Sequence, residues 1–169
     1  PYNIKRFRNG IGEGDRFKVK THGTEWNNNA PTPEYFKLLF RVSHNQIIWG
    51  ANNFTLPPSE YFCVWNKKQT VDNFASAELA WVSMGLKQPA KIFDYGIHKH
   101  NHTEKIHPTQ KPVPLYDWLL QNYAKPEMRI LDTHLGSGSS AIAAHYFGCD
   151  FVGCEIDRDY FEAAQKRFD

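Results

Sequence analysis

An α/β fold is what this 169-residue sequence predicts, and three observations predict it. Short apolar runs of strand character alternate with stretches of helical period along most of the chain. Residues 129–157, RILDTHLGSGSSAIAAHYFGCDFVGCEID, read as strand, glycine-rich turn, helix, second strand and acidic residue. The composition suits a folded domain with a real core: 41% apolar, with five Trp, eight Tyr and twelve Phe.

The elements follow in order. Residues 3–30 form a long irregular segment rich in Gly, Asn and charge. Thr32 before Pro33 is a helix cap and first turn, so a helix is expected near 33–43, with Tyr35, Phe36, Leu38, Leu39, Phe40 and Val42 at helical spacing. Gln46–Trp49, ended by Gly50, is a buried strand, and Tyr61–Trp65 is another. Ala77–Ser83 and Ala90–Tyr95 read as a strand pair. Pro112–Tyr123 is an amphipathic helix, and Tyr160–Phe168 a final one. Trp49, Trp65, Trp81 and Trp118 fall in apolar patterns and are expected in the core, as are Cys149 and Cys154. Asn66 reads equally as a site-lining group or an end-of-strand turn. Trp26, in the irregular segment, is expected to anchor that loop or to reach a ligand.

Within the strand–turn–helix–strand unit, Ile130 and Leu131 end the first strand. Gly136 and Gly138 allow a turn that a ligand can approach closely. Gly148 stops the helix, and Glu155 sits at the carboxyl end of the second strand, where open α/β sheets bind ligands. A carboxylate there accepts hydrogen bonds from both hydroxyls of a ribose, so the unit reads as a nucleoside site. Two chemistries stay open at this point. GSGSSA fits the dinucleotide pattern G-x-G-x-x-A of hydride-transfer enzymes. A methyltransferase uses a similar turn for S-adenosylmethionine. The unit's place near the end of the given residues weakens the hydride reading.

Charge and cysteines set further bounds. The net charge is only +2, but Lys5, Arg6, Arg8, Arg16, Lys18 and Lys20 crowd the first 20 residues against Glu13 and Asp15. A mobile basic loop suits salt-dependent phosphate contacts, with a merely solvated loop as the alternative. The three cysteines lack metal-ligand spacing and read as reduced. The His98, His100, His102 alternation, on one strand without Cys or carboxylate partners, is a weak metal pattern; a solvated polar loop is the expectation, and no metal is assigned. No apolar run approaches the ~20 residues of a membrane helix, and residues 1–10 lack the apolar stretch of a signal peptide. A cytoplasmic protein is expected.

Several further segments carry a resemblance. The chain begins Pro1-Tyr2-Asn3; QIIWGANNF spans 46–54; YFCVWNKK spans 61–68, followed by SAELAW at 76–81; HPTQKP spans 107–112; LDTHLGSGS and GCEID follow. Together these are similar to the amino-group DNA methyltransferases, which modify adenine N6 or cytosine N4 with S-adenosylmethionine. The order, catalytic loop first, then HPTQKP, then the glycines, matches the permuted β class. The resemblance covers nearly the whole chain. HPTQKP shortly before L-D-x-x-x-G-S-G is highly specific, and Pro-Tyr alone is weak.

The resemblance implies one Rossmann-like methyltransferase domain over 1–169, with a seven-stranded, mostly parallel sheet and helices on both faces. It implies that Asp132, Gly136 and Gly138 shape the cofactor turn. It also implies that Glu155 binds the ribose, that Ile156 lies against the adenine, and that Thr109 and Lys111 help hold the methionine end. His107 is expected to be a turn residue. The family's loop is D/N/S-P-P-Y, which leaves Pro1 as the carbonyl that accepts a hydrogen bond from the target amine and Tyr2 as the residue that stacks on a flipped base. The loop's first two residues and the central strand that carries them precede Pro1, so a fragment is expected. Thr133 and His134 stand where Pro and Phe are common; His134 points into the site or, as the favoured reading, fills the Phe position.

Duplex DNA is the expected partner, met by Lys5, Arg6, Arg8, Arg16, Lys18 and Lys20 of the basic loop and by Lys99 of the His-rich stretch. A homodimer and a bacterial or phage source are further expectations. The reading is an adenine-N6 methyltransferase. The alternatives are a cytosine-N4 enzyme, an inactive module that binds DNA or cofactor and, more distantly, an NAD-dependent oxidoreductase.

Overall fold

The computed structural model describes residues 30–72, 74–101 and 103–169. The basic loop, Pro1, Tyr2 and Trp26 lie outside the described residues. The described chain divides into two compact units, 30–98 and 99–169.

The first unit opens with helix α1 (Pro33–Val42), where the Thr32 hydroxyl accepts from Tyr35 N–H and Pro33 supplies the first turn. The helix buries Phe36, whose ring lies 5.3 Å from that of Phe54, and its Phe40 meets Trp81 edge-on at 5.9 Å. Four strands follow: β1 (Ile47–Trp49), β2 (Phe62–Asn66), β3 (Ala77–Val82) and β4 (Lys91–Asp94). They form one sheet in the order β1-β3-β2-β4. The loop after β2 closes as a hairpin, with Lys67 N–H donating to Ser76 C=O at 2.9 Å. β3 therefore returns antiparallel to β2, with Cys63 opposite Ala80 and Asn66 opposite Ala77. Strand periodicity turns Cys63, Trp65, Ala80 and Val82 inward, and these are the buried residues of the sheet. The Trp65 indole keeps a partner by donating to Tyr95 C=O at 2.8 Å.

Ala77–Ser83 and Ala90–Tyr95 do not pair with each other. β1 and β2 occupy both edges of β3, so β4 lands beyond β2 and runs parallel to it, with Val64 opposite Ile92. A 3-10 turn at Met84–Leu86 and a left-handed Lys87 carry the chain across.

Helix α2 (Ile97–Asn101) spans the boundary between the units. It replaces the expected solvated loop of the His-rich stretch. His98 and Lys99 are exposed, whereas His100 is buried. Of the four expected core tryptophans, Trp65 is buried, and Trp49, Trp81 and Trp118 are only half-buried.

The second unit contains α3 (Val113–Tyr123), β5 (Arg129–Asp132), α4 (Ser139–Phe147), β6 (Asp150–Gly153) and α5 (Arg158–Phe168). β5 and β6 are parallel neighbours, with Ile130 opposite Phe151. Leu120 of α3 packs with Ala143 and Ala144 of α4, and Val113, Tyr116, Ile130, Phe147 and Phe151 surround them. The two alanines let the helices approach without displacing larger side chains. Gly148 adopts φ +83 and closes α4 by donating to Ala144 C=O at 3.0 Å. Cys149 is half-buried and Cys154 is exposed, because the strand ends at Gly153.

Among the described residues, six strands form two sheets with two antiparallel and two parallel pairings. This differs from the single, mostly parallel seven-stranded sheet that the resemblance implies. Within the four-stranded sheet the difference comes from the hairpin that reverses β3.

Leu115 of α3 has no exposed surface. Leu115→Ala is expected to lower stability by about 2–5 kcal/mol, and Tyr146→Ala, at an exposed site, to stay within about 0.5 kcal/mol. Thermal and denaturant unfolding followed by circular dichroism measures both.

Candidate functional site

The site grows out of the β5–β6 ladder, which continues past both strands. Cys154 N–H donates to Asp132 C=O at 2.8 Å, and Leu135 N–H donates to Cys154 C=O at 2.9 Å. The chain then turns through Gly136 at φ +54 and Gly138 at φ +73, both in the left-handed region that glycine occupies at no steric cost. A Cβ on Gly138 would also press to 3.3 Å from Ala164 Cβ on α5. Gly138 N–H donates to Leu135 C=O at 3.0 Å, and Gly138 C=O accepts from Ile142 N–H at 3.0 Å, so the turn passes directly into α4.

Asp132 shapes this turn with both oxygens. Oδ1 accepts from His134 N–H at 3.0 Å, and Oδ2 accepts from the Ser140 hydroxyl at 2.5 Å. The first bond is a local Asx turn that throws residue 134 outward. His134 is exposed, with its Nδ1 3.1 Å from Thr133 Oγ1.

Glu155 reaches back to the same turn. Its Oε2 accepts from Gly136 N–H at 2.8 Å, and its Oε1 accepts from Asp157 N–H at 2.9 Å. A carboxylate has about four lone-pair sites, so these bonds orient the group and leave acceptor capacity toward a ligand. The next side chain, Ile156, is 87% exposed. Asp157 then caps α5 by accepting from Asp159 and Tyr160 N–H.

The HPTQKP loop lies against the other side of the turn. His107 is buried, with its ring 4.4 Å from the Tyr160 ring. A Cβ on Gly136 would meet the imidazole at 3.5 Å, which places His107 beside the turn. His107 Nδ1 accepts from Thr109 N–H at 3.2 Å, with Thr109 Oγ1 also at 3.2 Å, which assigns its proton to Nε2 in the neutral ring. Burial pulls its pKa down to about 4 against the field of Glu155; Lys111 adds to the lowering and Asp157 opposes it.

Gln110 is buried and braces the loop. Its Oε1 accepts from Ile106 N–H, its Nε2 donates to Glu104 C=O, and its own C=O lies 2.7 Å from His100 Nε2. Thr109 and Lys111, on either side of Gln110, are half-buried.

Thr109, Asp132, Gly136, Gly138 and Glu155 are thus assembled around one turn. Ile156 lies at its rim, and Lys111 is close enough to bias His107 electrostatically. Lys99 lies on α2 with its side chain exposed. Asn66 belongs to an end-of-strand turn, donating to Asp94 Oδ1 at 2.8 Å and accepting from Lys68 N–H at 3.1 Å.

Sequence reasoning left His107 and Gln110 without a defined contact, although both stand inside a motif it singled out. It missed Ser140 and Arg167 and the contact of His100 with Gln110, which span 8 to 30 residues and leave no local pattern. A cleft of about 340 Å³ behind the turn, lined in part by Leu135, Ala141, Phe151, Ala164 and Phe168, is mostly apolar. The polar groups converge at the strand ends and not there. Among the described residues, no group of three or more His, Cys, Asp or Glu is placed to hold a metal ion.

Two solved structures share the fold. The M1.HpyAVI–SAM complex aligns with a TM-score of 0.51 at 22% identity, covering 63% of this chain and 60% of that one. The cytosine-N4-specific PvuII DNA methyltransferase aligns with a TM-score of 0.50 at 13% identity, covering 64% and 50%. These likenesses establish the Rossmann-like methyltransferase fold. In sequence, the chain is 28% identical over 132 residues to the type II methyltransferase M.BglII of Bacillus subtilis, covering 75% of this chain and 36% of that protein. It is 24% identical over 157 residues to the type II methyltransferase M2.DpnII of Streptococcus pneumoniae, covering 93% and 53%. The chain therefore spans about a third to a half of the length of these curated relatives. Residues 1–166 match the family model described as DNA methylase, and with its glycine turn, its bridging Glu155 and its HPTQKP loop the chain belongs to that DNA methylase family.

Proposed function

We propose that this chain carries the cofactor and catalytic parts of a DNA methyltransferase that moves a methyl group from S-adenosylmethionine to adenine N6 in duplex DNA. The observation that carries the reading is the Glu155 carboxylate, held by Gly136 and Asp157 N–H beside an apolar Ile156 left 87% exposed. Donors fix the carboxylate from behind, which suits a pair of ribose hydroxyls in front. An uncovered isoleucine next to it suits the face of a purine. The residues present therefore fit an adenosyl group.

Glu155 would hold the ribose, Ile156 the adenine, and Thr109 and Lys111 the methionine end. The Thr109 hydroxyl, while donating to His107 Nδ1, keeps lone pairs to accept from an ammonium. Asp132, Gly136 and Gly138 fix the backbone around them. When bound, S-adenosylmethionine supplies the methyl group on its sulfonium.

Pro1 and Tyr2 are the residues proposed to meet the base. The exocyclic amine is a poor nucleophile because its lone pair is delocalised into the ring. The Pro1 carbonyl accepts a hydrogen bond from it, and Tyr2 stacks on the flipped base. Orientation and fixed dipoles supply the catalysis. Lys5, Arg6, Arg8, Arg16, Lys18, Lys20 and Lys99 are proposed to meet phosphates.

Among the described residues no helix is long and apolar enough to cross a membrane, and a cytoplasmic location remains the expectation. The relatives and the described surface add no support for a homodimer. Cytosine N4 is the second reading, favoured by the fold shared with a cytosine-N4-specific enzyme.

Nucleoside analysis of unmethylated duplex DNA after incubation with the protein and S-adenosylmethionine is expected to reveal N6-methyladenine. N4-methylcytosine would keep the chemistry and overturn the base. Binding of S-adenosylhomocysteine with neither product would point to a binding module. Preference for a nicotinamide dinucleotide in competition would point to an oxidoreductase.

Glu155→Gln is expected to weaken S-adenosylhomocysteine binding by about 10- to 100-fold in calorimetry, the scale of a charged hydrogen bond lost.

His107 adds a pH dependence. Its folded pKa lies below its ordinary value, so between about pH 6.5 and 4 the unfolded chain binds the extra proton. Its contribution to stability is therefore full above pH 6.5 and falls as the pH drops. The loss between pH 7 and 5 is expected to be about 2 kcal/mol. Urea unfolding of the unaltered protein and of His107→Gln at both pH values isolates this part, which the variant is expected to lack.

A further inference from the structure

Arg167 stands in the last turn of α5 beside Lys166. A cation at a helix carboxyl end is favoured by the helix dipole and needs no further role. Lys166 behaves that way and is exposed. Arg167 does not stay in solvent. Its side chain, half-buried, runs back to the glycine turn, and Nη1 donates to Ser137 C=O at 2.7 Å and to the Ser139 hydroxyl at 2.9 Å.

Both acceptors belong to buried residues. Ser137 is 4% and Ser139 2% exposed, and their hydroxyls lie 3.1 Å apart. The bond to Ser137 C=O holds one edge of the peptide between residues 137 and 138. The other edge is held by Gly138 N–H donating to Leu135 C=O. This peptide separates two left-handed glycines. Glycine populates many backbone wells of similar energy, so the peptide on the amino side of Gly138 turns more freely than one between two residues that carry a Cβ. Apart from the Gly138 N–H bond to Leu135 C=O, the restraint comes from outside the turn, through Arg167.

We propose that Arg167 is a positioning residue for the cofactor, acting by locking the 137–138 peptide so that the turn is already in its binding shape. The part that concerns the cofactor rests on the function proposed above. Arg167 itself is not assigned any contact with the cofactor or with the reacting atoms. Preorganisation of this kind raises affinity by reducing the ordering that binding must supply. It leaves the reaction of the bound complex unchanged. Because both bonds leave a single nitrogen, a lysine can replace part of the function, which a role that needed the two-pronged guanidinium would not allow.

The test compares the full chain with Arg167→Ala, Arg167→Lys and Lys166→Ala. Amide hydrogen exchange of residues 135–140 is read without ligand, S-adenosylhomocysteine binding by calorimetry, and KM and kcat on duplex DNA. Arg167→Ala is expected to speed exchange within 135–140 and to weaken S-adenosylhomocysteine about tenfold, the scale of a lost hydrogen bond to a charged group. KM for S-adenosylmethionine rises while kcat at saturation holds. Arg167→Lys restores part of each effect, and Lys166→Ala matches the unaltered chain.

Unchanged exchange at 135–140 in Arg167→Ala overturns the proposal. So does faster exchange with unchanged affinity, or a fall in kcat with KM constant. Exchange that rises over all of 99–169, with no rescue by lysine, makes Arg167 a residue of the fold alone and overturns it too. Failure of the unaltered chain to bind S-adenosylhomocysteine sinks the proposed function and the cofactor part of this inference with it. The exchange of 135–140 still decides the lock on the turn.

Discussion

One hydrogen bond organises the second unit: Gly136 N–H to the Glu155 carboxylate at 2.8 Å. It joins the first residue of the left-handed turn to the end of the neighbouring strand, 19 residues on. For Glu155 to reach, β5 and β6 must be in register, which the Asp132–Cys154 and Cys154–Leu135 backbone bonds extend beyond the strands. The His107 ring lies on the open side of Gly136, where a Cβ would meet it at 3.5 Å. For Asp157 to hold the second carboxylate oxygen, α5 must start where Asp157 caps it. Strand register, helix start and loop packing thus meet in one carboxylate.

That convergence has an electrostatic side. The anionic Glu155 and Asp157 draw a proton toward His107, yet burial and Lys111 keep the imidazole neutral. A neutral ring with an unprotonated Nδ1 is what the Thr109 N–H requires. The HPTQKP loop is therefore held by a histidine that serves as acceptor and packing surface. Gln110 fastens the loop from the other side through three separate contacts.

Most of the elements were legible because their signals are local. Thr32-Pro33 marked the start of α1, Gly148 the end of α4, and the glycine pair the turn between β5 and α4. Strand pairing was less legible, since it depends on which edges earlier strands leave open; β4 beside β2 instead of β3 follows from that. The His-rich stretch misled because alternate histidines match the period of a strand, whereas a short helix places His98 outside and His100 inside. At His134 the sequence carries no sign that the Asp132 side chain holds its N–H. The bracing residues were illegible, because a serine eight residues away or an arginine thirty residues away carries no motif.

The long reach of Arg167 bears on the order in which the unit can be built. Synthesis proceeds from the amino end, so Ser137 leaves the ribosome 30 residues before the arginine that holds its carbonyl. Tyr160, which packs on His107, and Ala164, which packs on Gly138, also belong to α5. The two strands and α4 are therefore complete while the glycines still lack their supports. The shape of the turn therefore depends on α5, a helix made after the strands and α4 that the turn joins.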